Sequence, residues 1–153
     1  MSEAEQRVSR VLALDVGKRR IGLAISDELG ITAQGLPTLE RTNIREDLGK
    51  LEALAAEKGA GLLLVGHPLN MGGSEGRQAK YTQEFAERLR LKTGLPVQLW
   101  DERLTTVEAQ RVLRSSGIGI EKRAAAVDKL AAVILLESYL DSLSHAGNAE
   151  MNS

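Results

Sequence analysis

The stretch VSRVLALDVGKRRIGLAISD, residues 8–27, sets the frame for everything that follows it. Val8 to Val16 contains the apolar run Val11-Leu12-Ala13-Leu14 and reads as a strand. Arg20 to Asp27 alternates, with Ile21, Leu23 and Ile25 on one face at period two, and reads as its hairpin partner. A third strand is expected around Gly35 to Leu39. The period then changes. Asn43 followed by Glu46 has the spacing of a helix N-terminal cap, and Ile44, Leu48, Leu51 and Leu54-Ala55 recur on one helical face until Gly59 and Gly61.

Gly61-Leu62-Leu63-Leu64-Val65-Gly66 is short and wholly apolar, as suits a strand covered on both faces. A second helix is expected over Glu75 to Thr93, ended by Gly94 and Pro96, and another strand over Val97 to Trp100. Thr105 with Glu108 forms a capping box for a third helix. A last helix is expected from about Arg123 to Leu143, with Val127, Leu130-Ala131, Ile134 and Leu135 on its apolar side. Helical crossovers between apolar strands imply parallel pairing, while the opening hairpin makes the sheet mixed. The fold class is therefore α/β, one mixed sheet flanked by helices. Residues 1–8 and 144–153 read as polar tails around a single domain spanning 9–143.

Composition narrows the chemistry. The 153 residues suffice for one domain with a substantial core, built from aliphatic side chains because aromatics are only 3%. There is no cysteine, which removes disulfides, zinc–thiolate sites and thiol catalysis, and fits a reducing compartment. No apolar run approaches the roughly 20 residues of a membrane span, and the polar N-terminus MSEAEQRVSR lacks a secretory signal's apolar stretch. A cytoplasmic protein is expected. The net charge of −1 provides no broad polybasic surface, although Lys18-Arg19-Arg20, Arg88 to Lys92 and Lys122-Arg123 are local basic clusters.

Three acidic positions stand where chemistry collects. Asp15 ends the first strand, Asp101 and Glu102 end the strand Val97 to Trp100, and ligands gather at the carboxyl ends of parallel strands. Asp128 lies early in the last helix, where Ala124, Ala125, Ala131 and Ala132 keep the face narrow. Two carboxylates about 5 Å apart repel by roughly 3 kcal/mol at an effective dielectric near 20. Three such pairs would cost on the order of 10 kcal/mol, comparable to the stability of a small domain. Such groups stay apart, or are protonated, or share a divalent cation. Oxygen ligation without Cys or His points to Mg²⁺ or Mn²⁺, ions suited to phosphodiester hydrolysis. Spacing alone leaves open the plainer roles: Asp15 as a turn residue, Asp101 and Glu102 as the approach to a helix, Asp128 paired with Lys122 or Lys129.

Four segments in series carry a resemblance: Asp15-Val-Gly-Lys-Arg-Arg-Ile-Gly22, Val65-Gly-His-Pro-Leu-Asn-Met-Gly-Gly73, Asp101-Glu-Arg-Leu-Thr-Thr106 and Val127-Asp-Lys-Leu-Ala-Ala132. Together they resemble the YqgF family, described as RuvX-like Holliday junction resolvase homologues or pre-16S rRNA nucleases, over about residues 9 to 143. The resemblance implies an RNase H-like fold and an acidic metal site of Asp15, Asp128 and the Asp101-Glu102 pair. Asp101 is the favoured member of the pair because it directly follows Trp100. It also implies a nucleic-acid partner, a structured RNA such as an rRNA precursor or a branched DNA.

Substrate handling is expected from Gly17, Arg20, Asn70, Gly73 and Arg103, with Gly17 and Gly22 letting the hairpin approach a ligand. Arg20 and Arg103 suit phosphate oxygens, and a salt bridge to neighbouring carboxylates is the equal alternative. His67 is expected to pack a loop rather than shuttle protons. The competing activities are junction cleavage, which implies a dimer with paired sites, and binding of nucleic acid or a ribosome or transcription partner without cutting. A monomer suffices for RNA trimming. Asp-x-Gly near a hairpin also begins the phosphate segment of actin-like ATPases, which need a second lobe for which this length leaves little room.

Overall fold

The computed structural model describes residues 10–68, 76–101 and 120–151, with the side chains of the last helix described over 126–144. Five strands form one sheet: β1 (Arg10–Val16), β2 (Arg20–Ser26), β3 (Ala33–Glu40), β4 (Ala60–His67) and β5 (Val97–Asp101), in the spatial order β3-β2-β1-β4-β5. β1 pairs antiparallel with β2, and β2 with β3, whereas β4 lies parallel to both β1 and β5. The sheet is mixed as expected, because tight turns join the first three strands and helices join the rest.

Helix α1 (Ile44–Lys58) starts where Asn43 accepts a hydrogen bond from the Glu46 amide at 2.9 Å, and stops at Gly59 with φ of 68°. Helix α2 (Arg77–Thr93) stops at Gly94, also left-handed with φ of 72°. At both C-termini glycine adopts the left-handed conformation without a Cβ penalty. Helix α3 runs Ile120–Met151, beyond the Leu143 boundary read from sequence. Its apolar periodicity fades after Leu143, but Ala146, Ala149 and Glu150 are good helix formers and no proline interrupts the backbone. The expected helix opening at Thr105 lies outside the described residues.

Strand alternation splits the core in two. Leu12, Leu14, Ile21, Leu23, Leu63 and Val65 pack with Leu51, Phe85 and Leu89 of α1 and α2. Val11, Ala13, Ala24 and Leu64 pack with Ala132, Leu135, Leu136 and Tyr139 of α3. β1 and β4, apolar on both faces, are thus the central strands the unbroken apolar runs predicted. Pro37 sits in edge strand β3 at a bulge opposite Gly22, where Ile21 pairs with Leu39 but Leu23 with Leu36. An edge bulge tolerates the missing proline donor. Among the described residues no helix is long and apolar enough to cross a membrane.

Candidate functional site

Alternation decides which acidic residues can meet. Leu14 and Val16 point into the α1/α2 core, so Asp15 between them lies on the α3 face of β1, near its carboxyl end. Its cross-strand partner is Gly22. A Cβ built on Gly22 would come within 1.9 Å of the Asp128 carbonyl oxygen and 3.2 Å of its Cα, so the α3 backbone rests directly on the sheet there. Cross-strand partners stand about 5 Å apart, which puts the Asp15 and Asp128 Cα atoms no more than about 10 Å apart. The freedom of Gly22 thus admits this helix rather than a ligand, correcting the sequence reading. Gly35 plays a smaller part on β3, where a Cβ would meet Lys129 Cγ at 2.7 Å.

Arg20 lies on the same face and its Nε donates to Asp128 Oδ2 at 2.7 Å, with both side chains about a quarter exposed. The hydrogen bond to Asp128, then that carboxylate's charge, hold the Arg20 guanidinium above its ordinary pKa. Of the two roles read for Arg20, the structure has the salt bridge. Gly17 is engaged in the turn itself: its N–H donates to the Arg20 carbonyl at 2.9 Å, and a Cβ would press on that same oxygen.

Asp101 is the last residue of β5. Leu99 packs with the α1/α2 core and Trp100 with α3, so strand alternation gives Asp101 the Leu99 side of β5. Among the described residues no group of three or more His, Asp or Glu side chains is arranged to hold a metal ion. Asp15 and Asp128 are hard oxygen donors on one face, with a guanidinium beside one of them, and this donor set fits a divalent cation once a further carboxylate joins. Glu102, Arg103, Asn70 and Gly73 lie outside the described residues. His67 ends β4, half-buried, with Nε2 at 3.4 Å from Gln83 Nε2, a contact of a packed side chain.

Arg41 was missed by the sequence reading. Its Nε donates to Asp47 Oδ2 at 2.9 Å, its Nη1 to the Gly17 carbonyl at 2.8 Å and its Nη2 to the Tyr81 hydroxyl at 2.7 Å. The guanidinium also lies over the rings of Tyr81 and Phe85, at 5.7 and 5.3 Å from their centroids. Burial opposes its charge, but the bonds to Asp47 and Tyr81 outweigh that and raise its pKa. One side chain thereby ties the hairpin turn after Asp15 to α1 and α2. Nothing local signals this, because Gly17 and Tyr81 are distant from Arg41 in sequence; only the Arg41/Asp47 pair flanking a helix start is close.

Comparison with known proteins agrees with this architecture. A family model described as "RuvX: Holliday junction resolvase" matches residues 9–142. A protein of Koribacter versatilis named "Putative pre-16S rRNA nuclease" is 48% identical over 141 residues, covering 92% of each chain. A Geobacillus kaustophilus protein of the same name is 46% identical, covering 87% of this chain and 98% of its own. Among solved structures, the fowlpox virus resolvase in complex with Holliday junction DNA has a TM-score of 0.55 at 11% identity, over 88% of this chain and 98% of that one. This last likeness is one of fold, the RNase H-like sheet with flanking helices.

Proposed function

The chain belongs to the RuvX family, and from that membership we propose that it is a divalent-metal-dependent nuclease that hydrolyses phosphodiester bonds in the precursor of 16S rRNA. The observation that carries the reading is the approach of Asp15 and Asp128 across Gly22, on one face at the carboxyl end of β1. The curated relatives bear the name of a pre-16S rRNA nuclease along nearly their full length, which favours RNA.

Asp15 and Asp128 would hold the cation. The third carboxylate would come from the Asp101-Glu102 pair at the end of β5. When bound, Mg²⁺ or Mn²⁺ would supply Lewis-acid polarisation of the phosphodiester and stabilisation of the leaving oxygen. Arg20 neutralises Asp128 through its hydrogen bond and would also be within reach of a substrate phosphate oxygen. Arg41 fixes the Gly17 carbonyl and so the turn that follows Asp15. We place the protein in the cytoplasm, where rRNA precursors are found.

A second reading, cleavage of four-way DNA junctions, is favoured by the description of the family model itself. It requires two sites in a symmetric dimer. One experiment separates the readings: the purified protein is offered an rRNA precursor and a four-way DNA junction with Mg²⁺, Mn²⁺ or EDTA. RNA cutting that needs the metal and disappears in Asp15→Asn is the expected result. Cutting of the junction alone selects the second reading. A folded Asp15→Asn protein that cuts at the wild-type rate sinks both.

A further inference from the structure

On the other side of the hairpin tip, an open groove of ≈ 1130 Å³ lies between the β1–β2 turn, the start of α1 and the first turns of α2. Its lining carries Lys18 and Arg19 from the turn, Arg41, and Arg77 and Lys80 from α2 against the carboxylates Glu40, Asp47 and Glu84, so cations outnumber anions by two. Lys18, Arg19, Arg77 and Lys80 are all exposed, and among the described residues none of them makes an ion pair or side-chain hydrogen bond. Arg77 and Lys80 are three apart on a helix and so share a face, and the first turn of α2 contains no acidic residue to offset them. In a chain of net charge −1, four cations without a side-chain partner lining one groove give it a local positive excess despite Glu40 and Glu84.

The floor differs from the rim. There Arg41 is already held by Asp47, Tyr81 and the Gly17 carbonyl, so its charge is neutralised and its position fixed. Gln78 adds a 3.5 Å contact to the Val16 carbonyl, joining the start of α2 to the end of β1. The groove is therefore joined to the segment that bears Asp15 through Gly17 and Val16. The basic run at 18–20 is divided by the tertiary structure: Arg20 turns to Asp128 on the α3 face, while Lys18 and Arg19 line the groove.

We propose that this groove holds the phosphates of a nucleic-acid strand leaving the Asp15–Asp128 site over the hairpin tip, and that it reads the backbone rather than the bases. Exposed Lys and Arg neutralise phosphates without selecting sequence. Exposed Tyr81 at the same rim adds a surface against which a base can rest. The inference rests on the nuclease reading for where the strand is cut, not for whether it binds.

The test measures binding of a labelled RNA hairpin with a single-stranded extension of about ten nucleotides, and of its DNA counterpart, across a salt series. Loss of two phosphate contacts in the double variant Arg77→Gln/Lys80→Gln should weaken binding about tenfold at moderate salt and flatten the log–log salt slope by about 1.4. Lys18→Gln/Arg19→Gln, on the opposite rim, should do the same, and RNA and DNA should respond alike. Lys50→Gln/Arg88→Gln, exposed cations outside the groove lining, should leave the slope unchanged. The proposal is overturned if both rim variants, folded by circular dichroism, keep the wild-type slope, or if the outside pair flattens it equally. A flattened slope in a protein that cuts nothing upholds the groove while the nuclease reading fails. Normal cutting with an unchanged slope does the reverse.

Discussion

The Asp128 backbone sits on Gly22 so closely that no side chain fits between them: a Cβ at position 22 would lie 1.9 Å from the Asp128 carbonyl oxygen. Because Gly22 is the register partner of Asp15, this contact sets how closely the backbones of Asp15 and Asp128 approach. A glycine in the second strand thus governs a site to which it contributes no polar side-chain atom.

Gly22→Ala should therefore push α3 off the sheet. The obstacle is backbone, which cannot rotate away, so the cost is expected at the upper end of overpacking, on the order of 3 kcal/mol. Urea denaturation reads this directly, and metal-dependent cutting should fall with it. A midpoint equal to wild type would mean that the helix does not rest where the structure has it.

Removing the charge at Arg20 should strengthen cation binding. The guanidinium now occupies one oxygen of Asp128 and repels an incoming divalent ion, an effect of at least about fivefold in affinity even at the dielectric of bulk water. Its pKa is raised further above the ordinary guanidinium value, so Arg20 stays protonated and the effect should not vary across neutral pH. Mn²⁺ titration of Arg20→Gln, followed by electron paramagnetic resonance, checks the sign. Unchanged or weaker Mn²⁺ binding would remove Arg20 from the site.

Arg41 and Asp47 form a pair whose side chains are only 9% and 1% exposed. Deleting one partner strands the other in a poorly solvated place, and each of Arg41→Gln and Asp47→Asn should cost about 3 kcal/mol. The double variant should cost clearly less than the sum, with a coupling of about 1–3 kcal/mol. Additive losses in denaturant melts would show that the two side chains act independently.

Asp27 closes the β2–β3 turn by accepting from the amides of Ile31 at 2.7 Å and Thr32 at 3.1 Å. Those bonds, Ile31 first, hold its carboxyl below the ordinary 3.8. The folded form is thus favoured by the ionised carboxylate, a contribution present above pH 3.8 and lost as pH falls through the lowered folded value. The stability gap between wild type and Asp27→Asn should accordingly narrow below pH 3.8. A gap that stays constant from neutral pH to pH 3 would contradict the turn's role.

Much of the fold was legible because its signals are local. The Asn43 cap, the glycine stops at 59 and 94, and the apolar runs of β1 and β4 each act within a few residues. The far end of α3 was not legible, since a helix can continue past its apolar stripe on propensity alone. Of the candidate site, Asp15 and Asp128 share the α3 face, while the preference for Asp101 rested on its following Trp100. Adjacency on a strand gives neighbours opposite faces, so following Trp100 does not by itself single out Asp101 over Glu102.

The sequence by itself determined the strand and helix order, the mixed sheet and the acidic residues available, all consequences of periodicity and caps that operate over one or two turns. Only the tertiary structure decided that Asp128 approaches Asp15 through Gly22, that Arg20 faces Asp128 while Lys18 and Arg19 face a groove, and that Arg41 binds the hairpin to two helices. These depend on where distant backbones come to rest, which close packing against the whole sheet settles and no local pattern encodes.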